Sequence, residues 1–554
     1  MVANAAFFYH PDGYRTDGSR LMGRQAAGEA YLSAYLRHGG FDTAYCFAAS
    51  RDHFQDFCRR ARAQGAPADL RMGWVPHEDS RGLSEPGCLF VPGPGLETQA
   101  WQRRSLDAAQ YSLCGVTHTT ASPGVMDSIG NLLVAPYEAW DAVILTSRAV
   151  QGTVHQVLEN WGEYLRERLG AAPVLKPQLP VIPLGVDCDR FAKGDQQEGE
   201  HRSAWRKQLG AGEDDIVALF VGRLSYHAKA HPLAMLMALE RAAQKTGKTI
   251  HLVQAGWFAN DQIKTDFIAA AKLAAPSVIN HYLDARTQKV RDTIWYAADL
   301  FTSLSDNIQE SFGLTPLEAM AAGLPVVVSD WDGYRDMVED DVTGILVPTT
   351  MLPPGTHAGH TIATRHALGV DNYDRYIGNA SLCTAVDIDA CAIAYERLII
   401  DPDLRQRLAD AGRNRARRNF DWRVVLQSYK SLWAELGALR ASAPEIPPRK
   451  MPPLRDDPFA LFSGYPSTTL TRDTRVAPAA NAATWLKAVR QENMVAFAPY
   501  LFLAEAEIDA MLEHAAQAGA GNVGALIDLH AGPQQGAAHR TIAWLLKLGV
   551  LELV

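Results

Sequence analysis

Short, wholly apolar runs alternate along this chain with longer stretches in which apolar residues recur at helical spacing. In the first part, residues 5–9, 88–91, 112–116 and 142–145 read as buried strands. A helix over 26–37 carries Ala27, Ala30, Tyr31, Ala34 and Tyr35 on one face and stops at Gly39-Gly40. A second runs over 149–168. In the second part, 216–221, 250–254, 300–304 and 325–329 read as strands. Helices follow from Pro232, over 290–298, and over 317–322. The last is entered at Pro316, which has no N–H to leave unpaired, and closed by Gly323. Amphipathic helices are predicted at 387–398 and 402–418, and a last one from Asp421-Trp422 to about 439. Strands alternating with helices predict an α/β chain of doubly wound parallel sheets.

Breaks in this pattern divide the chain. A polar, charged stretch over 193–202 marks a passage between domains. Residues 351–383, rich in Gly, Thr and His, read as an inserted solvated loop. Its His357, His360 and His366 have no Cys partner and no tight ligand spacing, so solvation is favoured over a metal site. Residues 444–458 are Pro-rich and charged, as a linker is. Beyond about 479, helices at 504–516 and 539–546 and a strand at 549–554 permit a small, mostly helical, winged-helix-like module. The expected domains are 1–190, 191–440, a linker 441–478, and 479–554.

Composition narrows the function. A chain of 554 residues has room for two or three domains. A net charge of −9 argues against a general nucleic-acid binder. No run of about 20 apolar residues is present to span a membrane. The first residues lack the basic and apolar regions of a signal peptide. The seven cysteines are an odd number with no CxxC pair, which points to a reducing cytoplasm.

The candidate chemistry gathers between Asp299 and Pro348. Glu310 and Glu318 stand eight positions apart. Between them Ser311, Phe312, Gly313, Leu314 and Thr315 bring backbone N–H groups to a helix N-terminus, which suits a phosphate. A carboxylate accepts from two neighbouring hydroxyls, so the two glutamates suit diols. One anion site flanked by two diol clamps is what a sugar nucleotide requires. The same spacing also fits an ordinary loop with two solvated glutamates. After the strand 216–221, Gly222, Arg223 and Lys229 place two cations at a strand mouth, suited to a diphosphate or, equally, to a solvated basic loop. Gly23, where strand turns to helix, allows close backbone approach, and His118 ends a strand where ligand groups are often placed. The arginines 405, 407, 413, 415, 417 and 418 form either a solvated face or a contact with an anionic membrane surface.

ESFGLTPLEAMAAGLPVV, with GYRDMV and TGILVP after it, resembles the E-x7-E signature of retaining glycosyltransferases of family 4 (glycosyl transferases group 1), which have the GT-B fold. VIPLGVD with Phe191 resembles the family's hinge, and GRL with Lys229 its basic loop. Several positions depart from the family. Met22 replaces a Gly and Leu184 an Asn. Ala230 and Asp332 stand where Gly is usual, and Asp336 stands near the usual glutamate. Over residues 5–440 the resemblance implies two Rossmann-like domains facing across a cleft, the first for the acceptor and the second for the donor. It implies transfer from a nucleotide-diphosphate sugar to a saccharide or lipid-linked hydroxyl, with retention and with no cofactor or bound metal. Arg223, Lys229 and the helix N-terminus would neutralise the diphosphate. Glu318 would hold the ribose and Glu310 the sugar, and His118 and Gly23 would approach from the other domain. Apart from the resemblance, an insertion at 351–383 that covers the donor site is the alternative to the solvated-loop reading of that segment. Epimerase, phosphorylase and non-catalytic nucleotide-sugar sensor are the other readings the residues allow.

Overall fold

The structure, a computed structural model, describes residues 3–14, 23–192, 195–449 and 452–554. The chain divides into two units, 1–451 and 452–554.

The first unit holds two six-stranded sheets, all of whose pairings are parallel. Strands β1 (Ala6–Phe8), β2 (Thr43–Ala48), β3 (Arg71–Pro76), β4 (Cys88–Val91), β5 (Ser112–Val116) and β6 (Ala142–Ile144) lie in the order β3-β2-β1-β4-β5-β6. Strands β7 (Ile216–Val221), β8 (Ile250–Gly256), β9 (Ile279–Asp284), β10 (Leu300–Ser303), β11 (Val326–Ser329) and β12 (Ile345–Val347) repeat that order from the opposite edge. β4 to β8 and β10 to β12 are almost wholly buried because helices cover both sheet faces, and most of their residues are apolar. In each sheet the winding reverses once, between β1 and β4 and between β7 and β10. Doubly wound sheets bind ligands outside the carboxyl ends of the strands at that reversal. The architecture is the expected GT-B one, two doubly wound lobes facing across a cleft.

The final helix, Trp422–Ala441, packs on the first lobe, and Tyr429, Trp433 and Leu436 are buried with Tyr31, Tyr35 and Phe90. Each such buried aromatic contributes roughly 1.5–3 kcal/mol. Gly185 is required beneath this helix, since a Cβ there would lie 2.5 Å from the Trp422 ring.

Several expectations change. The helix after Glu310 begins at Leu314, so Pro316 is its third residue; first-turn N–H groups have no intrahelical partner, and the proline is tolerated there. The charged stretch 193–202 runs into a helix, Asp195–Leu209, held to the second lobe by buried Trp205 and Leu209 at its far end. The segment 351–383 is not a solvated loop. An antiparallel pair, β13 (Thr349–Met351) with β14 (Thr384–Val386), closes a stem that carries two helices, His357–Ala367 and Tyr373–Ser381. His366 stacks on Tyr376 with ring centroids 4.3 Å apart. The basic stripe is largely spent inside the molecule. Arg405 donates to the carbonyls of Leu398 and Ile399, Arg413 to that of Ala322 and Arg415 to that of Met337, and Arg417 pairs with Asp189.

The second unit builds its own core from Val476, Leu486, Ile508, Met511, Leu526, Ile542 and Leu545. Three short strands, in the order Gly521–Asn522, Arg475–Pro478, Leu551–Leu553, pair antiparallel beside the helices Ala482–Val489, Glu505–Ala518 and Pro533–Lys547. The strand Arg475–Pro478 falls inside the stretch expected as linker, because Val476 is fully buried in this core.

Candidate active site

A cleft of about 900 Å³ opens at the carboxyl ends of β7 and β10 and is walled on its other side by the first lobe. Arg223, Lys229, Glu310, Ser311, Phe312, Gly313, Leu314, Glu318, Gly222 and His118 all line it. The turn that leads from the first strand to Gly23 includes residues 15–22, outside the described residues; Gly23 itself opens the helix Gly23–His38.

Gly222 follows β7 with φ at +156°, and its carbonyl lies where a Cβ on Gly256 would come within 1.9 Å. The ends of β7 and β8 therefore close on bare backbone, and the chain turns directly into Arg223. The loop beyond is fastened from below by the residues after β10. Ser305 Oγ donates to the Lys229 carbonyl at 3.2 Å, Asn307 Nδ2 to the His227 carbonyl at 2.8 Å, and the His231 N–H to Asp306 at 3.2 Å. The basic loop and the acidic loop are thus one hydrogen-bonded assembly.

Lys229 Nζ is ion-paired with Glu310. The Tyr334 hydroxyl donates to the same carboxylate at 3.4 Å. Burial pushes the Glu310 carboxyl up; Lys229, with the Ser311 N–H and Tyr334, outweighs it, and the pKa lies below the ordinary glutamate value. Burial lowers that of Arg223, with Asp374 and Glu310 pulling the other way. Arg223 Nη2 donates to the Ala228 carbonyl at 3.1 Å and to Gln309 Oε1 at 2.7 Å.

Gly313 caps the helix Leu314–Ala322 with φ at +102°, and a Cβ there would meet the Tyr334 ring at 2.1 Å. The turn presents the helix N-terminus to the cleft, and Thr315 Oγ1 is buried there without a hydrogen-bond partner among the described residues. One turn further on, Glu318 faces Arg190 Nη1 at 3.7 Å. Burial raises its pKa, with Arg190 and Arg291 opposing.

The lobes touch across this site. Ser311 Oγ donates to the His118 carbonyl, Ser147 Oγ to Asp332 at 3.0 Å, and the Arg148 N–H to Asp336 at 2.7 Å. Asp332, where the family has Gly, takes the left-handed φ of +44°. Burial first, then Glu310, pushes its carboxyl up to about 7.

The sequence pattern had not singled out Gln309, Arg190, Tyr334 or Ser147 as site residues. Gln309 adjoins Glu310 and Arg190 adjoins Phe191, but nothing in the spacing pairs them with Arg223 or Glu318. Among the described residues, no helix is long and apolar enough to cross a membrane.

Residues 201–352 match the family described as Glycosyl transferases group 1. The D-inositol 3-phosphate glycosyltransferase of Geodermatophilus obscurus is 37% identical over 175 residues, 30% of this chain and 36% of that protein. The one from Kribbella flavida is 32% identical over 212 residues, 37% of this chain and 48% of that protein. The chain thus spans less than half the length of these two curated relatives. Among solved structures, HepE of Anabaena in complex with UDP-glucose is 17% identical, covering 78% of this chain and 100% of its own, with a TM-score of 0.48.

Proposed function

We propose that this chain, whose residues 201–352 match the glycosyl transferases group 1 family, moves a sugar from a nucleoside diphosphate donor to a hydroxyl on a saccharide or lipid-linked acceptor, with retention at the anomeric carbon. The observation that carries this reading is the convergence of three positive sources on one cavity. Arg223, Lys229 and the helix N-terminus behind Gly313 all line the cleft, and Glu310 and Glu318 flank them.

In the reaction the bond between the anomeric carbon and the diphosphate oxygen breaks, and charge grows on the leaving diphosphate. Groups already aimed at that charge need no reorganisation as it develops. Arg223 offers a rigid fork, Lys229 a mobile point charge, and the first turn of the helix two backbone N–H groups, from Leu314 and Thr315. Glu318 accepts from the ribose diol, and Glu310 from the hydroxyls of the transferred sugar. Charge compensation thus comes from the protein itself, without a bound metal. From the first lobe, the loop of His118 closes over the sugar, and the acceptor enters along the polar wall of Ser33, His38 and Ser122. The contacts between the lobes through Ser311, Asp332 and Asp336 hold the two halves of this site together.

The test is a donor screen. The protein is incubated with a panel of nucleotide sugars and released nucleoside diphosphate is recorded. Release from one donor, slow without acceptor and faster with it, is the expected result. Binding without release across a broad acceptor panel would overturn transfer in favour of a nucleotide-sugar sensor.

A further inference from the structure

The helical insertion between β13 and β14 reaches the candidate site. Its two helices form a fixed platform. Arg365 grips buried Asp371 with two hydrogen bonds at 2.8 and 2.9 Å, and Asn379 Nδ2 donates to the same carboxylate at 3.2 Å. The platform docks on both lobes. Ile377, fully buried, sits against Ala121 of the first lobe and Ala228 of the second. Gly378 passes so close to His227 that a Cβ would lie 3.1 Å from that side chain. The helix Tyr373–Ser381 is thereby held with its first residues, Tyr373 and Asp374, on the wall of the cleft.

We propose that Tyr373 is a positioning residue that aims Arg223 at the leaving diphosphate through Gln309, an inference that rests on the transferase reading above. Arg223 Nη2 has two hydrogens, and both are used, one on the Ala228 carbonyl and one on Gln309 Oε1. Its Nε and Nη1, with three N–H donors between them, have no partner among the described residues. A guanidinium only donates, so it fixes the Gln309 amide with oxygen toward Arg223. The amide nitrogen is then turned to the Tyr373 hydroxyl, to which it donates at 3.0 Å. The Gln309 backbone N–H is itself held by Asn307 Oδ1 at 2.9 Å. An arginine side chain is costly to order, and a fork held at one prong presents the other donors in one direction. The insertion thus supplies the outer anchor of a chain that runs Tyr373 to Gln309 to Arg223.

The experiment is a double-mutant cycle with Tyr373→Phe and Arg223→Ala. Tyr373→Phe removes one hydroxyl and keeps the ring, and melting temperatures monitor the fold of every variant. In the wild-type background it should lower kcat about five- to tenfold, the cost of one net hydrogen bond, with donor KM little changed. In the Arg223→Ala background it should change kcat less than about twofold, as coupled neighbours require. An equal loss in both backgrounds, or none in the wild type, overturns the proposal. Calorimetric titration with UDP, GDP and ADP reads the same four proteins without turnover, and weaker binding from Tyr373→Phe only where Arg223 is present supports the chain of contacts. A wild type that binds a diphosphate but cleaves no donor counts against transfer alone. A wild type that binds none of them overturns both.

Discussion

The Lys229 ammonium is paired with the Glu310 carboxylate, joining loops 81 residues apart in sequence. Each group satisfies the other's charge inside a cleft wall that would otherwise penalise both. On the proposed function, a diphosphate donor would compete with Glu310 for that ammonium and donor hydroxyls with Lys229 for the carboxylate, so binding would exchange one internal ion pair for two contacts to the ligand.

Removing Lys229 leaves burial unopposed by its strongest counterweight at Glu310, so the Glu310 pKa rises. Lys229→Ala should lower turnover by roughly 10²–10³, the scale of one lost charge-stabilising donor. It should also move the acid limb of the kcat/KM profile to higher pH, because the folded-state carboxylate now protonates earlier as pH falls. A pH–rate profile with an unmoved limb would separate Lys229 from Glu310.

Glu318 stands on the helix that presents its N-terminus to the cleft, with Arg190 Nη1 3.7 Å away, and in the proposed site it accepts from the ribose. Glu318→Ala should raise donor KM by roughly 10- to 100-fold, as loss of charge-assisted hydrogen bonds does, and leave kcat nearly unchanged. Steady-state kinetics at saturating acceptor checks this. An unchanged KM would assign the ribose elsewhere.

Gly256 tests the backbone of the phosphate side. A methyl there would lie 1.9 Å from the Gly222 carbonyl oxygen, a main-chain atom with no rotamer to escape into. Gly256→Ala should cost about 3 kcal/mol or more of stability and weaken diphosphate binding with it. Denaturant melts and calorimetry measure the two effects.

Asp332 carries a pH signature. Its carboxyl is favoured in the protonated form by burial and by Glu310, with a pKa of about 7 in the folded chain. The stability it contributes is full below its unfolded value, about 4, and is lost as pH rises through about 7. Asp332→Asn keeps an acceptor for Ser147 and tolerates the left-handed backbone. Wild-type melting temperature should fall relative to this variant between about pH 4 and 7 and then run parallel to it. A constant difference across that range would contradict the account.

The strand, loop and helix that carry Glu310 and Glu318 were legible in sequence because a buried parallel strand and a Gly-capped helix leave strong local patterns. Arg223 and Gly222 were legible for the same reason, at the end of an apolar run. The partners that aim these groups were not. Gln309 lies 86 residues from Arg223 and Ser147 lies 185 from Asp332, and no spacing encodes contacts made by topology. The strand Arg71–Pro76 was missed because its edge position dilutes the apolar run with Arg and Gly, and Thr43–Ala48, inside the sheet, because Ala44 and Ala48 are weak strand formers. The insertion read as a loop because Gly, Thr and His have low helix propensity, yet Thr356 caps its first helix by accepting from the Gly359 N–H, and Ile377 anchors its second.

The most direct measurement is release of nucleoside diphosphate by the wild type and by Arg223→Ala, side by side, across the donor panel. The account predicts that the wild type cleaves one donor and that Arg223→Ala cleaves the same donor roughly 10²–10³ times more slowly with its fold intact. No release from any donor, or equal rates from the two proteins, would contradict it.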